Sequence, residues 1–169
     1  MSICTYDYAN LNNDAYKLKH SAYAAIIDHT AVCQGYALLL YRMLLECGVE
    51  CRLISGLADN GTQIGNHAWN IVKLGDQWYN VDVTWDDARQ DKGMSARPYF
   101  LKCETNFDTD HFRDNEFNTA AFHEAYPMAE ADYIHDGSGD FDLALATADL
   151  TLLLRHVAQI SAIDAPEVW

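Results

Sequence analysis

The feature that most restricts what this chain can fold into is a pair of strand-like runs joined by Gly75-Asp76. HAWNIVKL (67–74) and QWYNVDVTW (77–85) flank that two-residue link, which predicts a tight antiparallel hairpin. With Leu74 opposite Gln77, Trp69 faces Asp82 and His67 faces Thr84. Side chains alternate across a strand, so His67, Trp69 and Asp82 share one face. Asp82 is then the diagonal neighbour of His67, roughly 7–8 Å away at the backbone and within side-chain reach. A three-residue loop would put His67 and Asp82 on opposite faces.

Upstream of the hairpin the period changes. Tyr36, Leu39, Leu40, Met43, Leu44 and Cys47 recur at helical spacing, and Gly48 follows as a residue able to end a helix with positive φ. This predicts a helix over 33–47 with Cys33 in its first turn. Unpaired N–H groups and the positive end of the dipole favour a thiolate at such a position. VECRLISGL (49–57) reads as a strand and ADNGTQIGN (58–66) as a loop. TYDYANLNND reads as loop or short extended chain, and Ala15 to Ile27 as one or two helical turns. Asp86 to Pro98 reads as a polar loop, Tyr99 to Leu101 as a short strand, and Thr119 to Ala131 as loop with a short helix.

Cys33, His67 and Asp82 are the parts of a thiol nucleophile system: an attacking sulfur, a general base, and a carboxylate that orients the base. N–H groups at the helix start would stabilise the oxyanion, with Gln34 or a tyrosine near the N-terminus as candidate second donor. A lone helical cysteine is ordinarily a small core hydrophobe. Here the case rests on three residues recurring in order. Trp69, Trp78 and Trp85 are expected in the core, Trp69 and Trp85 also being candidates for the substrate cleft. His20, His29, His111, His123, His135 and His156 fit no partner pattern and are expected at the surface or in local packing.

Composition narrows the function further. A chain of 169 residues, 50% hydrophobic, can bury one good core. Its net charge of −14 argues against nucleic acid and anionic membranes, both of which require a basic surface. The longest apolar stretch, near Tyr36 to Leu45, is too short to span a bilayer and contains Arg42. No secretory signal is visible after Met1, and the compartment stays open. The 5 cysteines show no CxxC pair and no zinc spacing. Cys47 and Cys51 fit either a bridge or two buried thiols. The acidic run after Glu104 reads as a solvated face, or as a surface favouring basic peptides.

VCQGYA, NHAWN and WYNVDVTWDD, in that order, closely resemble the transglutaminase-like superfamily, particularly its bacterial members. SAYAAIIDHTA and YFL also fit, so the resemblance covers about residues 5–112. It implies a papain-like α+β fold, a catalytic helix packed on an antiparallel sheet. It also implies Cys33 as nucleophile, His67 as base and then acid, and Asp82 as orienter. The family usually has helical sequence before the segment matching TYDY, whereas five residues precede Tyr6 here. On that pattern one wall of the core or cleft is expected to be missing, supplied by another chain, or cut away from this sequence. The family also favours an extracellular or cell-envelope setting.

The tail resembles one half of a dockerin at GDFDLALATADLTLLLRHV, which divides the chain into a catalytic domain (1–135) and a helical segment (136–169). On that pattern Ser138, Asp140, Asp142 and Asp149 take calcium-ligand positions, but Leu143 replaces the glycine of the sharp turn. An amphipathic helix over Asp149 to Ile160 that docks on a partner or on a second copy is the simpler expectation. No other cofactor is implied. The expected activity is thiol-dependent acyl transfer on peptide or protein amides, by a cysteine protease or amidase. The alternatives are a protein-crosslinking transglutaminase and an inactive binding domain.

Overall fold

The computed structural model describes residues 4–90 and 98–134. β1 (Thr5–Tyr6) pairs in parallel with β2 (Thr30–Ala31), and the intervening chain makes a 3₁₀ turn (Lys17–His20) and a π-helical turn (Ala24–Asp28). α1 (Cys33–Glu46) follows, then β3 (Cys51–Asp59), β4 (Ile64–Leu74) and β5 (Gln77–Val81). After α2 (Val83–Gln90) and the single turn α3 (Glu104–Phe107) come β6 (His111–Arg113) and α4 (Ala120–Ala125). The main sheet is antiparallel in the order β5-β4-β3-β6. The fold class is the expected α+β.

The hairpin forms in the predicted register, with Leu74 opposite Gln77 and Asn70 opposite Val81. Gly75 supplies the positive φ, 60°, that a two-residue turn of this hand requires. At the end of α1, Gly48 takes φ 74° while the Val49 N–H donates to the Leu44 carbonyl at 2.9 Å, closing a Schellman cap.

The sheet carries a core on each face. α1 lies over Cys51, Val72, Tyr79 and Val81 through Leu40, Tyr41 and Leu44. Buried Asn70 straps the helix down, its Nδ2 donating to the Ala37 carbonyl at 3.1 Å. On the other face Ile54, Trp69, Ile71 and Trp78 pack with Phe107. A third cluster, centred on Cys4, Ala24, Ala25 and Ala31, holds the N-terminal segment against Tyr36 and Leu39 of α1. Lys19 is buried there, and its ammonium donates to the carbonyls of Asn10, Leu11 and Asn13 at 2.7, 2.9 and 3.0 Å. Those bonds satisfy the charge and fasten the loop before the 3₁₀ turn.

Several expectations are corrected. The strand predicted to run to Trp85 stops at Val81, because Asp82 caps α2: its Oδ1 accepts from Thr84 N and Trp85 N at 2.9 and 3.3 Å. Thr84 therefore does not face His67, and Asp86 to Gln90, expected as loop, is helical. Tyr99 to Leu101 is no strand: Leu101 sits at φ 52°, outside extended backbone, and a single bridge joins Lys102 to Asn80. The loop expected over 58–66 shrinks, since β3 runs to Asp59 and β4 starts at Ile64. All five cysteines are thiols, so Cys47 and Cys51 form no bridge. The tail helix and the calcium candidates Ser138, Asp140, Asp142 and Asp149 lie outside the described residues, as do His135 and His156.

Candidate active site

Cys33 opens α1, and the backbone places it. Val32 at the N-cap offers no side-chain cap; its carbonyl accepts from Gly35 N and Tyr36 N at 2.8 and 3.2 Å. Val32 N donates to the Lys19 carbonyl at 3.0 Å, tying the helix start to the 3₁₀ turn. Gly35 makes that approach possible: a Cβ there would lie 2.6 Å from the Ala31 Cβ and 2.9 Å from the Ser21 carbonyl. Tyr6 of β1 sits over the same point. Burial raises its phenol strongly, and the charge of Cys33 adds to the shift, while its hydroxyl also bonds the Cys33 backbone.

His67 lies on β4, on the sheet face that carries Trp69 rather than on the face covered by α1. β5 ends at Val81, and beyond it β4 has no strand partner on that side among the described residues. At this open margin His67 meets Cys33. His67 Nε2 donates to Asp82 Oδ2 at 2.9 Å, which leaves Nδ1 for the sulfur. Burial alone would lower the imidazole pKa; hydrogen bonds to Asp82 and Cys33 and the charges of both outweigh it and push it up to about 10.

Asp82 is 1% exposed. Burial alone would raise its carboxyl pKa, but hydrogen bonds from His111 and His67, and their charges, hold it at about 2. Its two oxygens take four donors. Oδ1 receives the first N–H groups of α2, and Oδ2 receives His67 Nε2 and, at 3.2 Å, Nε2 of His111. His111 is thus the residue that sequence reasoning missed. Expected at the surface or in local packing, it is 0% exposed and bonded to the carboxylate of the site. It reaches the site because β6 pairs with β3 at Gly56, where a Cβ would lie 2.1 Å from the Phe112 carbonyl. Only a residue without a side chain admits that approach. No motif in the sequence links positions 82 and 111; the one signal was a histidine beside Asp110 in a segment of aromatic residues.

His67, Asp82 and His111 have ligand-type atoms within 4.8 Å of one another, a spacing that could hold a small metal ion. In this structure those atoms already bond to each other, and the donor set is used up as a hydrogen-bond network. Cys33 and His67 open onto a cleft of about 900 Å³. Gln34, exposed, and Trp85 line it, and the Trp85 ring centroid is 5.5 Å from that of His67. Trp69, the other cleft candidate, does not reach it: 1% exposed, it stacks beside His67 at 6.3 Å. Trp78 is a core residue as expected. The walls carry Asn12, Asn60, Gln63, Asn66 and Asp114, and no lysine or arginine among the described residues.

Among the described residues no helix is long and apolar enough to cross a membrane. The chain has counterparts among known proteins. The kyphoscoliosis peptidases of Mus musculus and Homo sapiens are each 37% identical to it over 98 residues, which cover 50% of this chain and 15% of theirs. The chain thus spans a small part of the curated relatives it matches. A solved structure described as "Crystal structure of a TGase" is similar with a TM-score of 0.42 at 22% identity, over 47% of this chain and 22% of that one. Residues 2–83, from β1 through the hairpin to the start of α2, match the sequence profile of the Transglutaminase-like superfamily, and that part of the chain is similar to it.

Proposed function

We propose that this protein is a cysteine peptidase or amidase acting on peptide or protein amides, with Cys33 as nucleophile, His67 as acid–base and Asp82 as orienting carboxylate. The observation that carries the reading is that His67 bonds Asp82 through Nε2 and also bonds the Cys33 side chain, at the mouth of a cleft. The Cys33 thiolate attacks the carbonyl carbon and the C=O electron pair moves onto oxygen. The Cys33 N–H at the start of α1 donates to that oxyanion, an interaction typically worth about 3–4 kcal/mol per donor. Tyr6, already bonded to this amide, is placed to leave it for the oxyanion or to donate to the same oxygen. When the tetrahedral intermediate collapses the C–N bond breaks, and His67 gives its proton to the departing amine. Water then attacks the thioester while His67 accepts its proton; the acid leaves and the thiolate is restored.

Amide side chains along the cleft suit an extended peptide, whose backbone needs donors and acceptors. With Asp114 as a carboxylate among them and, among the described residues, no lysine or arginine, they also suit a basic peptide. The name of the matched relatives, peptidases, agrees. A transglutaminase would use the same constellation, a primary amine replacing water. The test is a fluorogenic peptide library with and without a fluorescent primary amine, against wild type and Cys33→Ala. Release of free acid that depends on Cys33 supports the peptidase. Amine incorporation instead of hydrolysis supports the transglutaminase. No turnover, together with equal thiol labelling of Cys33 in wild type and His67→Ala, would leave a non-catalytic binding domain.

A further inference from the structure

We propose that His111 is a buried imidazolium, clamped between Asp82 and Asp110, and that it serves as a positioning residue which weakens the hold of Asp82 on the His67 proton. This rests on the reading of Cys33, His67 and Asp82 given above.

The argument is one of donors and acceptors. His111 Nε2 lies 3.2 Å from Asp82 Oδ2, and Nδ1 lies 2.6 Å from Asp110 Oδ1. Asp82 is an anion already accepting from three other groups, so Nε2 must carry a hydrogen. Asp110 uses its second oxygen to accept the Tyr99 hydroxyl at 2.8 Å, and its side chain is 27% exposed, so water supports its charge. Nδ1 then carries a hydrogen as well, and a ring with both nitrogens protonated is a cation. The surroundings fit one. Ring centroids of Phe107, Trp85, Trp69 and Tyr99 lie 4.0, 4.6, 5.3 and 5.4 Å from that of His111, within the range at which aromatic rings stabilise a cation. The titratable and charged groups facing the ring are Asp82, Asp110, Asp108, His67 and Tyr99.

The consequence reaches the sulfur through Asp82. Both imidazoles donate to one oxygen of Asp82, so each competes with the other for its charge. A second cation there makes His67 a better acid toward a departing amine than a simple His–Asp pair would be. It also keeps Asp82 ionised, so the proton stays on His67 rather than passing to the carboxylate.

¹⁵N NMR of histidine-labelled protein tests this without any substrate. In wild type at pH 7.5 both His111 nitrogens should give protonated, imidazolium-type resonances. Asp110→Asn, a change at a partly exposed side chain, removes the anion facing Nδ1 and should abolish the imidazolium-type signature of His111 at the same pH. His111→Gln keeps a donor near Asp82 but removes the charge, and should move the His67 titration up by about one pH unit. The alkaline limb of Cys33 alkylation should shift with it. A bare Nδ1 in wild type, or a His111 signature unchanged in Asp110→Asn, overturns the proposal. So does a His67 midpoint that stays put in folded His111→Gln. Because the resonances do not depend on turnover, an imidazolium in a protein with no amidase activity would overturn the catalytic reading alone.

Discussion

The two ends of the candidate site are built in opposite ways. At the cysteine end, Cys33 is half-buried, its helix start has no side-chain cap, and Gln34 beside it is exposed. At the other end Asp82 and His111 are sealed from water, and every oxygen site of the carboxylate has a donor. A group that must meet a substrate has to keep open valences and a route to solvent. A group that only fixes charge and geometry works best where low dielectric and fixed donors allow it one arrangement. His67, 9% exposed, stands between the two and belongs to both.

That contrast can be broken at either end, and the effects should fall in a definite order. Cys33→Ala should lower amide turnover by about 10⁴-fold or more, with an unfolding midpoint close to wild type. Peptide hydrolysis and urea denaturation on the same preparations check both halves. Asp82→Ala should do the reverse in emphasis and cost about 3–5 kcal/mol of stability, because two buried imidazoles and the cap of α2 lose one shared acceptor. A loss under about 1 kcal/mol would mean that the sealed end is not a structural network. Gly35→Ala should cost about 1–3 kcal/mol, since the added methyl meets Ala31 and the Ser21 carbonyl, and should slow Cys33 alkylation by displacing the helix start.

The pH dependence has a worked sign. His67 is raised from 6.5 to about 10 on folding, so the stability it contributes is complete below pH 6.5 and is lost as pH rises through about 10. Asp82 is lowered from 3.8 to about 2, so its contribution is complete above pH 3.8 and is lost as pH falls through about 2. Denaturation midpoints from pH 2 to 10.5 should show both limbs. Subtracting the curve of His67→Gln should flatten the alkaline one, and an unchanged alkaline limb would remove His67 from the charged network. The smallest effect belongs to Gln34→Ala. On an exposed helix turn it should change stability by less than about 0.5 kcal/mol, while any change in KM reports its place on the cleft.

What could be read in advance were the parts governed by local rules. The length of α1, its glycine stop, the two-residue turn and the register of β4 on β5 all follow from residues within a few positions of one another. That register placed His67 and Asp82 on one face, where they hydrogen-bond. Asp82 itself was misjudged as mid-strand, although an aspartate whose oxygen can reach the N–H groups of Thr84 and Trp85 is a helix cap. Trp69 and Trp85 carried equal claims to the cleft, and burial alone separates them.

By itself, then, the sequence determined the two scaffolds, helix and hairpin, and the order of cysteine, histidine and aspartate upon them, since short-range periodicity and turn chemistry specify such elements. Only the tertiary structure decided that Cys33 and His67 meet at the unpaired margin of β4, and that Tyr6 and His111 come in from distant segments. Those approaches depend on close packing at Gly35 and Gly56, where the space left by a missing side chain is set by chain segments far away in sequence.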